Sequence, residues 1–194
     1  MFQNELAKQQ KARVRLAIAF GVVGLLTIAL LFFVQDSPEP LWLWALFAGA
    51  FVFFEWNTVE VNDKLFASPS VMVIMTAAVV FGPESAILGC AVMAALGPLQ
   101  PADIRERRWF QPAVNFGQLV LSATAAVSLY VLVVGPYPIT GSSVWRVALA
   151  SALAAIVYGL VNYQLVLFIV RQVYGHRELN RWSHMAQLLV PYVG

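Results

Sequence analysis

The stretch LAIAFGVVGLLTIALLFFV, residues 16–34, carries no charged side chain. At about 1.5 Å per residue, a helix of this length crosses the roughly 30 Å hydrocarbon core of a bilayer. A polar tail with Lys8, Lys11, Arg13 and Arg15 stands before it. No small-residue cleavage site follows, so the stretch is predicted to be a retained first span and not a signal peptide.

The composition of the whole chain also indicates a membrane protein. Of the 194 residues 60% are apolar and 11% are charged, with a mean hydropathy of +0.74. Soluble domains contain about 45–50% apolar and about 25% charged residues, so a soluble fold could not cover this much apolar surface. The net charge of +2 gives no support to a nucleic-acid partner. The single cysteine, Cys90, provides no disulfide framework, and no cofactor is predicted.

Five further apolar segments follow the first span, at residues 41–56, 70–81, 85–97, 113–134 and 144–170. The third and fourth spans of the chain are short and are joined by Gly82-Pro83-Glu84. Proline at a first helical position, followed by an acid, is a helix-start signal. Segments of this length are typical of re-entrant or buried helices as well as of full crossings. A start near Leu65 would lengthen the third span.

The distribution of basic residues predicts the orientation. Of the twelve Lys and Arg residues, all but Arg146 fall in the N-terminal tail and in every second loop. This is the positive-inside pattern, which places the N-terminus in the cytoplasm. We therefore predict an all-α fold: a polytopic transmembrane helical bundle of about six spans in the cell membrane. Residues 1–15 form a cytoplasmic tail, residues 16–182 the transmembrane domain, and residues 183–194 the start of a further apolar segment of a longer protein.

Small residues recur at helical spacing in two segments, which predicts close helix packing, with a dimer face as the alternative. They are Ser85, Gly89 and Gly97 in the fourth span, and Ser151, Ala155 and Gly159 in the sixth. Around Pro69, Ser68 and Ser70 are predicted to start the helix of the third span.

Polar side chains inside the spans are the candidate functional residues. Glu55 closes the second span, Asn115 and Gln118 share a face of the fifth, and Tyr158 and Asn162 share a face of the sixth. Such groups need partners in lipid, and together they could line a polar pocket. Glu55 is the strongest single candidate, because ionisable residues within membranes are often functional. The alternative is that Glu55 sits at the interface and the amides join helices.

The charged loop before the fifth span contains Arg105, Arg107 and Arg108. These residues are predicted to anchor the topology and to contact anionic headgroups, with a docking surface for a cytoplasmic domain as the alternative. His176 and His184 lack partners at ligand spacing, so no metal site is predicted. No phosphate loop, nucleophile elbow or zinc-helix motif occurs, which leaves an enzymatic activity of this chain uncertain.

Between Glu55 and Val134 the sequence resembles the N-terminal membrane regions of bacterial signalling proteins that carry HD or HD-GYP phosphohydrolase domains, or GGDEF diguanylate cyclase domains. The matching elements are Phe54-Glu55, Ser68-Pro69-Ser70, Phe81-Gly82-Pro83, residues 103–109, and Val114-Asn115-Phe116-Gly117-Gln118. The last element is the most specific.

The resemblance implies a membrane anchor or sensory input domain of a bacterial signalling protein. The catalytic residues of HD, HD-GYP and GGDEF domains are absent from these 194 residues, so any such activity would lie in a further C-terminal domain. The expected partners are the lipid bilayer and either a cytoplasmic output domain or a second copy of the chain. The alternatives are a small-solute binding or transport subunit and a purely structural anchor.

Overall fold

The computed structural model describes residues 2–57, 59–62, 65–67, 69–135 and 144–174. Within these ranges the chain is almost entirely helical, which confirms the predicted all-α class. The elements in chain order are α1 (Phe2–Val34), α2 (Leu41–Trp56), β1 (Val59–Asn62), β2 (Leu65–Ala67), α3 (Ser70–Leu96), α4 (Pro101–Arg105), α5 (Phe110–Val134) and α6 (Val144–Tyr174).

Helix α1 carries the polar tail and the first span without a break. It contains no proline, and it ends at Val34, just before the proline-containing turn of residues 35–40. Helix α2 has the bounds predicted for the second span. At its end, the Asn57 side-chain amide donates a hydrogen bond of 2.7 Å to the Phe53 carbonyl.

Helix α3 is a helical hairpin with a first arm at residues 70–81 and a second arm at residues 83–96. Gly82 has φ 72° and ψ 173°, a conformation that glycine adopts without the clash of a side chain. The thiol of Cys90 donates to the Ile74 carbonyl oxygen at 3.5 Å. Sixteen residues of unbroken helix would separate these residues by about 24 Å. The chain therefore reverses at Gly82, where Pro83 starts the second arm.

The α3 hairpin extends along the whole length of α2. At one end the Asp36 amide donates to the Glu84 carbonyl at 2.9 Å, which places the hairpin turn beside the α1–α2 turn. At the other end the Trp56 indole reaches the Gly97 carbonyl. The arms are about 18 and 21 Å long and α2 is about 24 Å long, all shorter than the roughly 30 Å hydrocarbon core. The prediction of two short segments is confirmed.

The connection between α2 and α3 contains two short antiparallel strands. Val59 pairs with Ala67, and Glu60 pairs with Phe66. The predicted all-α fold contained no strands here. The alternative start of the third span near Leu65 is wrong, because Leu65 belongs to β2 and the helix begins at Ser70.

Helix α5 lies at the centre of the bundle and packs against α1, α3 and α6, while α2 packs against α3. The buried core is rich in small residues, including Ala77, Ala94, Ala123 and Ala154. Large apolar side chains instead cover the outside, and Phe33 of α1 is 87% exposed. Small residues at helix contacts and large apolar residues outside are the arrangement expected of helices packed in lipid.

Four helices are long and apolar enough to cross a membrane by length and composition: Ala7–Val34, Ser70–Leu96, Phe110–Val134 and Val144–Val173. Because Ser70–Leu96 folds back at Gly82, it supplies two short segments and not one crossing. With α2 the described chain has six apolar segments, as predicted. The apolar run at residues 183–194 lies outside the described residues.

Candidate functional site

The element Val114-Asn115-Phe116-Gly117-Gln118, named here the α5 motif, joins three helices. A Cβ atom on Gly117 would stand 2.7 Å from the carbonyl carbon and 2.9 Å from the Cα atom of Phe20. A Cβ atom on Gly24 would stand 2.6 Å from the Phe116 ring. The absence of side chains at these two glycines therefore allows the backbones of α1 and α5 to touch.

On its other side the α5 motif binds α6. The Gln118 side-chain amide donates a hydrogen bond to the side-chain oxygen Oδ1 of Asn162. Ser122 lies one turn further along α5 and donates to the Gln118 backbone carbonyl at 2.8 Å. Gln118 and Ser122 are buried, and so is Tyr158, which precedes Asn162 by one turn of α6. Asn115 is half-buried, one turn before Gln118. The structure therefore joins Gln118 to Asn162 across the α5–α6 contact, with Asn115 and Tyr158 one helical turn away from them.

Glu55 belongs to a second polar group, at the base of the α3 hairpin. The Ser70 hydroxyl donates to Glu55 Oε2 at 2.7 Å. The helix begins at Ser70, as predicted, while Ser68 lies outside the described residues. The carboxylate lies at the N-terminus of α3, where the unpaired backbone amides of the first turn favour a negative charge.

The residue after Glu55 bonds to the C-terminal end of the same hairpin, which lies beside its N-terminal end. The Trp56 indole donates to the Gly97 carbonyl at 2.9 Å. A Cβ atom on Gly97 would stand 2.9 Å from the Phe51 ring and 3.0 Å from Glu55 Cγ. Adjacent residues of α2 thus form hydrogen bonds with both chain ends of the α3 hairpin. We name Glu55, Trp56, Ser70 and Gly97 the hairpin clamp.

The predicted residues Glu55 and Gln118 bond to different helices, Glu55 to α3 and Gln118 to α6. Leu119 packs at the clamp, with its Cδ1 atom 3.4 Å from the position of a Gly97 Cβ atom. The neighbouring Gln118 points to Asn162 on α6. Glu55 and Gln118 thus bond to different helices, and the single polar pocket that the sequence suggested stays a prediction.

The family comparison agrees with this architecture. A profile of the family MASE9 matches residues 13–190, most of the chain. The chain belongs to the MASE9 family. No curated protein and no solved structure matches it. MASE9 is a family of membrane-associated sensor domains, and the match fits a multi-span membrane sensory region. The hairpin clamp and the α5 motif both lie within the matched residues.

Two tryptophans of α2 in this MASE9 domain bond to the α3 hairpin, which sequence reasoning missed. Trp44 donates to the Gly89 carbonyl at 3.0 Å, parallel to the Trp56–Gly97 bond. The available signal was the small-residue stripe of Gly89 and Gly97, which the structure places against α2.

The basic loop of the MASE9 domain contains one internal ion-pair network. Arg108 Nε lies 3.1 Å from Asp103 Oδ1 and 3.1 Å from Glu106 Oε2. The Arg108 amide also donates to the Asp103 carbonyl at 2.9 Å. Both acids of this loop therefore engage Arg108. Arg105 and Arg107 are exposed, and among the described residues neither forms an ion pair.

Within the described ranges, no group of three or more His, Cys, Asp or Glu side chains is placed to hold a metal ion. His176 and His184 lie outside those ranges. The arrangement of the two polar groups is chemically suited to holding helices in register, because the Gln118–Asn162, Glu55–Ser70 and Trp56–Gly97 bonds each join different helices.

Proposed function

We propose that this MASE9 domain is the sensory input module of a bacterial signalling protein whose output domain lies beyond residue 194. The family match and the multi-span fold support a membrane sensor. The observation that carries the proposal is the Gln118–Asn162 bond, which couples the central helix α5 to α6 inside the bundle. Helix α6 is the last helix that the structure describes, and it extends over 31 residues.

A sensor requires two states that a signal stabilises to different extents. Two hydrogen-bonded groups could distinguish such states here. Release of the hairpin clamp would free the α3 hairpin from α2, and release of the Gln118–Asn162 bond would let α6 move against α5. Motion of α6 would then pass along the chain to an output domain of the HD, HD-GYP or GGDEF type, as the sequence resemblance implies.

The first test is the coding sequence beyond Gly194. An encoded HD, HD-GYP or GGDEF domain supports the proposal, whereas a stop after one more span removes it. The second test uses the full-length protein in membranes and measures cyclic-dinucleotide synthesis or hydrolysis. Gln118→Leu, which removes the hydrogen bond to Asn162, should shift the basal activity severalfold. Gln111→Leu is the matched control, because Gln111 is exposed on the same helix as Gln118. Equal activities of both variants would contradict coupling through the amide pair.

Small-solute binding is a second candidate, and the half-buried carboxylate of Glu55 favours it. Glu55→Gln keeps the shape and an acceptor for Ser70 but removes the charge. A cationic solute that binds at Glu55 should lose most of its affinity for this variant in equilibrium binding to proteoliposomes. Unchanged binding of every solute tested would remove the main support for this candidate.

A further inference from the structure

One groove at the basic end of the bundle has the features of a ligand site. It lies between the start of α1 and the start of α5 and has a volume of about 430 Å³. Small-molecule sites occupy about 300–1,000 Å³. Its walls include Gln10, Arg13, Val14 and Ile18 from one face of α1, with Phe110 from α5. None of these residues belongs to the hairpin clamp or to the α5 motif.

The groove changes from polar to apolar along the axis of α1. Gln10 and Arg13 stand at the end nearer the N-terminus, and Val14 and Ile18 continue the wall toward the apolar part of the helix. Both apolar side chains are more than half exposed, so the groove opens to the side of the bundle. A molecule that fills it must be polar at one end and apolar along its length.

The polar end is positively charged. The Arg13 guanidinium lies over the Phe110 ring, 5.7 Å from its centroid, and this cation–π contact positions the charge at the groove. The loop that leads into α5 contains three arginines and two acids, so it adds a net positive charge. The local charge is therefore complementary to an anion.

We propose that the α1–α5 groove binds one anionic phospholipid from the leaflet at the basic end of the bundle. The phosphate lies at Gln10 and Arg13, and an acyl chain follows Val14 and Ile18. Arginine recognises phosphate through charge-assisted hydrogen bonds, and basic residues at a membrane surface attract anionic lipids. A free phosphate would leave the apolar wall unused. This site goes beyond the proposed sensory function and would stand without it.

The test is native mass spectrometry of the full 194-residue chain in detergent, with phosphatidylglycerol or phosphatidylcholine of identical acyl chains. Wild type should bind phosphatidylglycerol at least about tenfold more tightly, an amount typical of one charge-assisted contact. Arg13→Gln should remove most of that preference. Arg15→Gln is the matched control, because it removes the same charge from the same helix outside the groove. If both variants lost the same amount of preference for phosphatidylglycerol, general surface charge would explain the binding and the proposal would be overturned.

A second variant tests the apolar part of the groove without changing charge. Ile18→Trp should fill the groove and weaken phosphatidylglycerol binding severalfold. If circular dichroism shows that Arg13→Gln does not fold, Ile18→Trp becomes the test of the proposal. A phosphatidylglycerol with a photoreactive acyl chain should cross-link to the peptides around Ile18 and Phe110. Cross-links confined to other helices, or displacement of the lipid by inorganic phosphate alone, would overturn the proposal.

Discussion

The indole nitrogen of Trp56 lies 2.9 Å from the carbonyl oxygen of Gly97, and this bond joins the end of α2 to the end of the α3 hairpin. Its neighbour Glu55 accepts a hydrogen bond from Ser70 at the beginning of the same hairpin. Two adjacent side chains of α2 therefore bond to the two ends of the hairpin, which are close in space although all of α3 separates them in the sequence.

Trp56→Phe keeps the ring and removes the N–H donor, so it should lower the free energy of unfolding by about 1 kcal/mol. The measurement is the midpoint of thermal or denaturant unfolding in detergent. Trp42→Phe is the control, because Trp42 is exposed on the same helix. Equal effects of the two substitutions would show that the bond to Gly97 contributes no stability.

Gly117→Ala should be strongly destabilising, because the added methyl group would overlap the backbone of Phe20. Overpacking typically costs about 1–3 kcal/mol, and a rigid backbone neighbour favours the upper end. Gly21→Ala provides the control, since a Cβ atom there meets nothing within 4 Å and alanine favours helix. Unfolding midpoints of the two variants would be compared. If Gly117→Ala were as stable as Gly21→Ala, α1 and α5 would not approach this closely.

The Gln118–Asn162 pair should show a favourable coupling energy in a double-mutant cycle. Interhelical hydrogen bonds in membranes contribute about 0.6 kcal/mol on average and up to about 1.7 kcal/mol. Gln118→Leu and Asn162→Leu each leave one amide without its partner, so the double variant should be more stable than the sum of the single effects predicts. Strict additivity would show that the two amides act independently.

The α3 hairpin predicts a cross-link that an unbroken helix forbids. Ile74→Cys should form a disulfide with the native Cys90 under a membrane-permeant oxidant, because the Cys90 thiol already lies 3.5 Å from the Ile74 carbonyl. Peptide mapping would identify the linked segments. Thr76→Cys should not react, since Thr76 is exposed on the outer side of the same arm. No cross-link at position 74, or equal reaction at both positions, would argue against the hairpin.

The charge distribution predicts that the basic loop faces the cytoplasm and the α1–α2 turn faces outward. Arg107→Cys and Glu39→Cys, each in a Cys90→Ala background, place single thiols at exposed positions on these two connections. An impermeant maleimide should label position 39 in intact cells, and position 107 only after the membrane is opened. The reverse pattern would invert the orientation.

Much of the helical layout could be predicted from the sequence. The bounds of α2 matched, and Gly82-Pro83-Glu84 indicated the hairpin turn, because a glycine, a proline and an acid act on the backbone next to them. Helix α5 begins three residues before its predicted start, and α6 extends four residues past its predicted end. The strand pair β1–β2 was missed, because it is too short to show an alternating pattern.

The sequence by itself determined that this protein consists of apolar helices, three long and three short, since hydropathy and helix-start signals depend on neighbouring residues. It also identified Glu55, Gln118 and Asn162 as polar side chains that need partners. Only the tertiary structure decided the pairing, which joins Gln118 to Asn162 and Glu55 to Ser70. Those partners depend on which helices come close enough to touch, and glycines such as Gly117 control that approach across elements distant in the chain.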